Sequence, residues 1–259
     1  MSCAAFKLRF GIIGTNFISD WLLEGAAEDS RFEVAAIYSR SQDTANAFAV
    51  KHNIPYTFVS LDAMASSPLI DAVYIASPTA LHSEQAILFM EHGKHVLCEK
   101  PSASNIRELG RMIEAAKKYG VVFMEAMKST LMPGFGAILQ HLPEIGTVRR
   151  YFASYCQYSS RYDKLKAGEV MNAFKPELSN GATMDLGIYT IYPLVVLWGR
   201  PFRISATGIL LSTGVDGQGA VNLEYGQGKN ATILYSKIAD SSLPSEIQGE
   251  DGTIVIDKI

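Results

Sequence analysis

Three short runs hold the side chains best suited to chemistry. In Cys98-Glu99-Lys100-Pro101 the proline biases Lys100 toward an extended backbone, which holds its ammonium out from the end of a β-type run. Such a lysine could steady a developing negative charge or exchange a proton, and an ordinary solvated lysine fits the same run. In Asn180-Gly181-Ala182-Thr183-Met184-Asp185-Leu186-Gly187-Ile188-Tyr189 a helical pattern sets Asp185 and Tyr189 on one face. A carboxylate and a phenol stacked this way, beside a glycine that permits close approach, form a clamp for a hydroxylated substrate with a proton-exchanging group. A helix-dipole partner and a core tyrosine would give the same letters.

The third run is Gly14-Thr15-Asn16-Phe17-Ile18-Ser19, between a first strand and a first helix. This is where a tight turn aims backbone N–H groups and a helix dipole at a dinucleotide pyrophosphate. Asn16 stands at the second glycine of the usual G-x-G-x-x-G and Ser19 at the third. Asparagine tolerates positive φ, so the turn should survive, with the Asn16 side chain crowding the phosphates. A glycine turn that merely joins strand to helix is the plainer alternative. At the end of the second strand Tyr38-Ser39-Arg40 offers a hydroxyl and a guanidinium, with no acid before Asp43. That suits the 2′-phosphate of NADP better than the ribose hydroxyl of NAD, and it weakens a methyltransferase reading. A solvated arginine explains Arg40 equally well.

These runs need elements to position them. From residue 6 to about residue 125, β-rich runs (Leu8–Ile13, Glu33–Tyr38, Asp71–Ala76, His95–Cys98, Val121–Glu125) alternate with amphipathic stretches (Phe17–Ala27, Asp43–His52, Leu81–His92, Ile106–Tyr119). The alternation predicts βαβ units around a parallel sheet. After Met132-Pro133-Gly134 the rhythm becomes one of consecutive strands: Thr147–Tyr158, Arg203–Leu211, Ala220–Tyr225, Ala231–Ser236, Glu246–Gly249 and Thr253–Ile256. Gly181–Trp198 is the single long helical pattern there, with a kink expected at Pro193. The fold class is therefore α/β: an N-terminal doubly wound sheet of Rossmann type, then an α+β domain on a mainly antiparallel sheet.

Of the 259 residues 48% are hydrophobic and 19% charged, enough for two packed domains and too apolar for disorder. A net charge of −3 leaves no electrostatic footprint for nucleic acid or an anionic membrane surface, which points to a small-molecule partner. Cys3, Cys98 and Cys156 lack the spacing of a disulfide framework or a metal site, so no metal is expected. Met1–Arg9 does not read as a signal segment, and no apolar run is expected to reach the roughly 18 residues that span a bilayer. A cytoplasmic protein is the expectation.

Together the Gly14 loop, Ser77-Pro78-Thr79 with His82, Gly93-Lys94-His95-Val96-Leu97-Cys98-Glu99-Lys100-Pro101 and the Asp185–Tyr189 helix resemble the Gfo/Idh/MocA oxidoreductases across essentially the whole chain. Val122-Phe123-Met124-Glu125-Ala126 and Tyr189 look like the dihydrodiol dehydrogenase-like branch. The resemblance implies NADP, with NAD as the alternative, and hydride transfer to or from a sugar, polyol or cyclic diol. It implies Lys100, Asp185 and Tyr189 as catalytic groups, Tyr189 falling where many members carry histidine. Gly14, Thr15, Asn16, Phe17, Ile18, Ser39, Arg40, Ser77, Pro78, Thr79, His82, Glu99 and Lys100 would bind the cofactor, with Thr79 in place of a common asparagine. Residues 1–125 would then be the dinucleotide domain. Residues 126–259 would be the substrate domain, with Met127, Lys128, Tyr158 and Arg161 as pocket linings and a sheet able to build a homo-oligomer. Members are typically longer, so the chain reads as shortened at its C-terminal end. A non-catalytic NADP-binding sensor, an NAD-dependent glycosidase and an inactive fragment are the competing readings.

Overall fold

Leu8–Ile13 (β1) is a continuous apolar run whose last four residues are buried, the mark of a strand covered on both faces. It is the centre of a six-stranded sheet in the computed structural model, which describes residues 7–258; Cys3, most of the stretch read for a signal segment, and Ile259 lie outside the described residues. Around β1 lie Phe32–Tyr38 (β2), Tyr56–Phe58 (β3), Ala72–Ile75 (β4), His95–Cys98 (β5) and Phe123–Glu125 (β6), in the order β3-β2-β1-β4-β5-β6. Every pairing is parallel. The order reverses between β1 and β4, and in sheets of this kind ligands bind beyond the carboxyl ends at that reversal.

The connecting helices are Phe17–Ala26 (α1), Gln42–His52 (α2), Leu61–Ala65 (α3), Thr79–Glu91 (α4) and Ile106–Tyr119 (α5). Local chemistry sets their ends. Ser41 and Asn105 cap α2 and α5 with their side-chain oxygens, while Asn53 and Gly120 close them in the left-handed region. The helices bury two apolar layers, one around Ile75, Phe89, Met90 and Met112, the other around Ile12, Ile37, Phe48 and Tyr74. β3 and α3, only 3 and 5 residues long, are elements that sequence periodicity did not reveal.

Contacts divide the chain into Met1–Ala126 and Met127–Ile259. The second unit holds Val148–Cys156 (β7), Arg203–Leu210 (β8), Asp216–Tyr225 (β9), Lys229–Ser236 (β10), Ser245–Gly249 (β11) and Thr253–Ile256 (β12). Their order is β12-β11-β7-β10-β9-β8. All pairings are antiparallel except β7 with β10, which run parallel. Two helices here were not foreseen, Pro133–His141 (α6) and Ser160–Lys166 (α7). Met132-Pro133-Gly134, read as a break, is a helix start, because proline at the first helical position gives up an N–H that has no partner there anyway.

The long helical pattern also differs from expectation. Thr183–Gly187 is a π-helical turn that leads into Ile188–Trp198 (α8). α8 runs through Pro193, and the departure from α geometry lies upstream of it. Proline leaves an acceptor unpaired one turn back, and the neighbouring Thr190 carbonyl accepts from the Tyr151 hydroxyl at 3.1 Å. By length and composition Pro176–Trp198 is apolar enough to cross a bilayer, which corrects the expectation that no run is. It is not one continuous helix, since Ser179 and Gly181 take φ of 57° and 151°, and its Leu186 and Leu194 pack against Tyr151 and Ile233 of the sheet.

Candidate active site

In the first unit the candidate groups gather along one edge. Because β1, β2, β4 and β5 are parallel, Gly14, Ser39, Ser77 and Glu99 all follow strand carboxyl ends on the same side. Gly14 has φ of 112°, and a Cβ there would sit 2.8 Å from the Ala76 carbonyl oxygen. Only glycine lets β1 turn this close to the end of β4.

Asn16 does not use its tolerance of positive φ. It is extended, with φ −95° and ψ 175°, and its Oδ1 caps α1 by accepting from the Ile18 amide at 2.9 Å. Its Nδ2 donates to the Ala76 carbonyl at 3.1 Å, so the side chain is tied back to β4. Ser19, at the third glycine position, is fully buried and donates to the Gly14 carbonyl at 2.8 Å. Both departures from the glycine pattern thus brace the turn. Thr15 and Ile18 are half-buried and Phe17 is exposed, its ring edge-on to Trp21.

Arg40 is exposed beyond β2, and among the described residues no acidic group pairs with it. Ser39 before it is anchored by its amide to the Phe58 carbonyl at 3.1 Å. A guanidinium placed there without an acidic neighbour fits a phosphate, as the Gly14 turn at the helix N-terminus fits a pyrophosphate. The residues present therefore suit an NADP-type dinucleotide.

The Glu-Lys-Pro loop is held from three sides. Tyr74, buried in the sheet, donates to Glu99 Oε1 at 2.6 Å, and Glu99 Oε2 accepts from the Lys100 amide at 3.2 Å. Glu125 at the end of β6 accepts from the Ser102 amide at 2.8 Å. His82 is 1% exposed, with Nδ1 2.9 Å from the Pro101 carbonyl oxygen and Nε2 2.8 Å from that of Ser77. Burial lowers the pKa of His82, against the pull of both carbonyls and of Glu125. A neutral ring has one N–H and can donate to only one of these two carbonyls, so His82 ties one loop and packs against the other, enclosed away from the surface. Ser77 donates to Gln85 at 2.6 Å and Thr79 is buried at the start of α4, which leaves half-exposed Pro78 and Ser77 at the rim. Lys100 is half-buried. Burial pushes the Cys98 thiol up, so it is inert.

In the second unit the π turn lies over the ends of β7 and β10. The Thr183 amide donates to Asp216 Oδ2 at 2.7 Å, and its hydroxyl is 2.7 Å from both that oxygen and the Tyr235 hydroxyl. Burial raises the Tyr235 phenol, against the Thr183 hydrogen bond. A Cβ on Gly187 would stand 3.2 Å from the Tyr235 ring, so this glycine allows the close approach. Asp185 accepts from Lys237 Nζ at 2.7 Å, and the Tyr189 ring meets Tyr155 edge-on at 5.7 Å. The two candidates straddle the π-to-α junction, so ideal α-helical stacking does not describe them. Their partners stand near the ends of adjacent strands, Tyr155 being opposite Tyr235 in the ladder.

Of the expected pocket residues, Met127 is buried and Lys128 and Arg161 are exposed. Tyr158 donates to Asp163 at 2.7 Å and accepts from Lys166 at 2.7 Å. Lys237, Asp216, Tyr235, Tyr74 and Glu125 are site neighbours that sequence reasoning missed. Among the described residues no group of three or more His, Cys, Asp or Glu side chains is arranged to hold a metal.

Comparison with known proteins gives two family matches. Residues 8–127 match the profile of an oxidoreductase family with an NAD-binding Rossmann fold, and residues 143–255 match a GFO/IDH/MocA C-terminal domain. A scyllo-inositol 2-dehydrogenase (NADP(+)) of Bacillus subtilis is 60% identical over 97% of this chain and 76% of its own length. A trans-1,2-dihydrobenzene-1,2-diol dehydrogenase of Danio rerio is 35% identical over 96% of this chain and 74% of its own. Among solved structures, the WlbA dehydrogenase of Bordetella pertussis superposes with a TM-score of 0.87 at 23% identity, covering 96% of this chain and 73% of that one. That last likeness is one of fold.

Proposed function

The chain belongs to the Gfo/Idh/MocA oxidoreductases, and on that footing we propose that it moves a hydride between NADP and a ring hydroxyl of an inositol-like polyol or cyclic diol. The observation that carries this reading is the close relationship to the Bacillus inositol dehydrogenase. NADP over NAD is supported by Arg40, exposed past β2 with no acid before Asp43. We assign the dinucleotide to residues 1–125 and the substrate to residues 126–259.

When bound, the nicotinamide supplies the two-electron acceptor or donor. Gly14, Thr15, Asn16, Phe17 and Ile18 would receive the pyrophosphate at the N-terminus of α1, Ser39 and Arg40 the 2′-phosphate, and Ser77 and Pro78 would line the adjoining strand end, with buried Thr79 behind them. Glu99 acts through the loop that carries Lys100. On the substrate, Asp185 accepts a hydrogen bond from the hydroxyl next to the reacting one. Tyr189 takes the proton of the reacting hydroxyl, and the Lys100 ammonium steadies the negative charge that grows on its oxygen. A phenol holds its proton until about pH 10 in water, so the proposed transfer requires a positive charge at the bound substrate.

Cys98 and Cys156 are free thiols, which supports a reducing cytoplasmic setting. Exposure of β8 at every position, with Ile204, Ile209 and Leu210 among its side chains, supports homo-oligomer formation through the second sheet.

Oxidation of scyllo-inositol with NADP+, followed at the reduced-nicotinamide absorbance, tests the reading. Lys100→Ala should lower turnover by about 10²–10⁴-fold with NADPH affinity nearly intact. Turnover within a few-fold of the parent would remove Lys100 from the chemistry. Arg40→Asp should weaken NADPH far more than NADH, and equal losses would refute the 2′-phosphate assignment.

A further inference from the structure

We propose that Lys237 is a positioning residue of this reaction: its buried ammonium fixes Asp185 as the ionised acceptor that orients the substrate hydroxyl. The inference rests on the reading of Asp185 given above and adds a group that no sequence pattern singled out.

Burial separates the two partners. The Lys237 side chain is 4% exposed and that of Asp185 is 42% exposed, with 2.7 Å between Nζ and Oδ2. A ligand can reach the carboxylate but not the ammonium, so Lys237 acts through Asp185. The ammonium also lies 5.4 Å from the centre of the fully buried Phe174 ring. The lysine backbone is fixed as well: its amide donates to the Gly217 carbonyl at 2.8 Å, and its carbonyl accepts from the Ser159 amide at 2.9 Å. Lys237 is thus clamped between the start of β9 and the residue that caps α7.

The carboxylate is framed from its own side too. Thr183 is bound to Asp216 through amide and hydroxyl, and Gly187 packs on the Tyr235 ring. Both ends of the π turn are therefore anchored to β9 and β10, and Lys237 sets the side chain between them. Stability does not account for the pair. Taking a lysine ammonium out of water carries a desolvation cost that an ion pair with a part-exposed carboxylate does little more than offset. What the pair does supply is a fixed charge and a single direction for Asp185, as orientation of a substrate hydroxyl requires.

The test compares Lys237→Met, Lys237→Arg, Asp185→Asn and the Asp185→Asn/Lys237→Met double variant in the full chain, with scyllo-inositol and NADP+. Lys237→Met should lower kcat/KM by about 10²-fold, with NADPH affinity within about twofold of the parent. Lys237→Arg should recover activity to within about tenfold, and the double variant should be no slower than Asp185→Asn alone. A deoxy analogue that lacks the neighbouring hydroxyl should narrow the gap between parent and Lys237→Met to about threefold, which a merely structural lysine would not do. Should the methionine variant fail to fold, Lys237→Gln carries the same expectation. Lys237→Met within about threefold of the parent, beside a crippled Asp185→Asn, overturns the proposal. If Asp185→Asn is itself near parental, the earlier assignment of Asp185 fails, and Lys237 with it.

Discussion

Replacing Gly14 with alanine tests whether the β1 turn is held by steric closeness to β4. The added Cβ would lie 2.8 Å from the Ala76 carbonyl oxygen and 3.1 Å from its carbon, against roughly 3.5 Å for comfortable contact. Neither atom can swing aside, because both are backbone and the Ala76 amide donates to the Ile13 carbonyl at 2.8 Å. An alanine at a φ of 112° also carries strain of about 1–3 kcal/mol, and overpacking adds about 1–3 kcal/mol. A cost near 3 kcal/mol should lower the melting midpoint of the first unit by about 10 °C in calorimetry. As the turn moves away from β4, NADPH affinity should fall by about tenfold or more. Gly25→Ala is the control: it lies in α1 with nothing within 4 Å of the new Cβ, so it should gain about 0.5–1 kcal/mol. If Gly14→Ala melts within about 1 °C of the parent and binds NADPH equally well, the steric argument is wrong.

Two further predictions follow from ion pairing and buried hydrogen bonding. Asp71 is held below the usual carboxylate range mainly by hydrogen bonds from Arg9, so its stabilising contribution is full above the unfolded pKa and is lost as pH falls through the lower folded value. Arg9→Met should therefore be less stable than the parent at neutral pH, with the gap closing below about pH 4 in denaturant titrations; a pH-independent gap would assign the effect to packing. Tyr74→Phe removes the 2.6 Å donor to Glu99 and should lower unfolding free energy by about 1–3 kcal/mol and turnover with it, whereas unchanged kinetics would mean that Tyr74 does not hold the Lys100 loop.

The first unit was legible where its signals are local. β1, β5 and α5 lie where apolar runs and their bounding turn residues put them, because a buried strand and a capped helix each declare themselves within a few residues. The turn at Gly14 lies between β1 and α1 as expected, but Asn16 shapes it by other means. Asn16 was expected to bend into positive φ, yet it stays extended and uses both ends of its amide, one on the Ile18 N–H and one on Ala76. Ala76 is 60 residues away, and the motif records nothing of such a partner. His82 shows the same limit: the motif gives its position, and only the fold shows its ring enclosed between the Ser77 and Pro101 carbonyls.

The π turn at Thr183–Gly187 carries this reasoning furthest. A four-residue spacing from Asp185 to Tyr189 means a shared face only in α geometry, and no local feature of the run announces an extra residue in the turn. What selects it is tertiary: Asp216 takes the Thr183 amide and hydroxyl, Tyr235 fills the space a Gly187 side chain would need, and Lys237 draws Asp185 toward the end of β10. A π turn has poorer hydrogen-bond geometry than the α-helix it replaces, so it persists where several outside bonds determine it together. The place where local preference yields to tertiary bonding is also the place where this chain's candidate carboxylate sits, as expected when a site asks for a side-chain direction that regular helix does not offer.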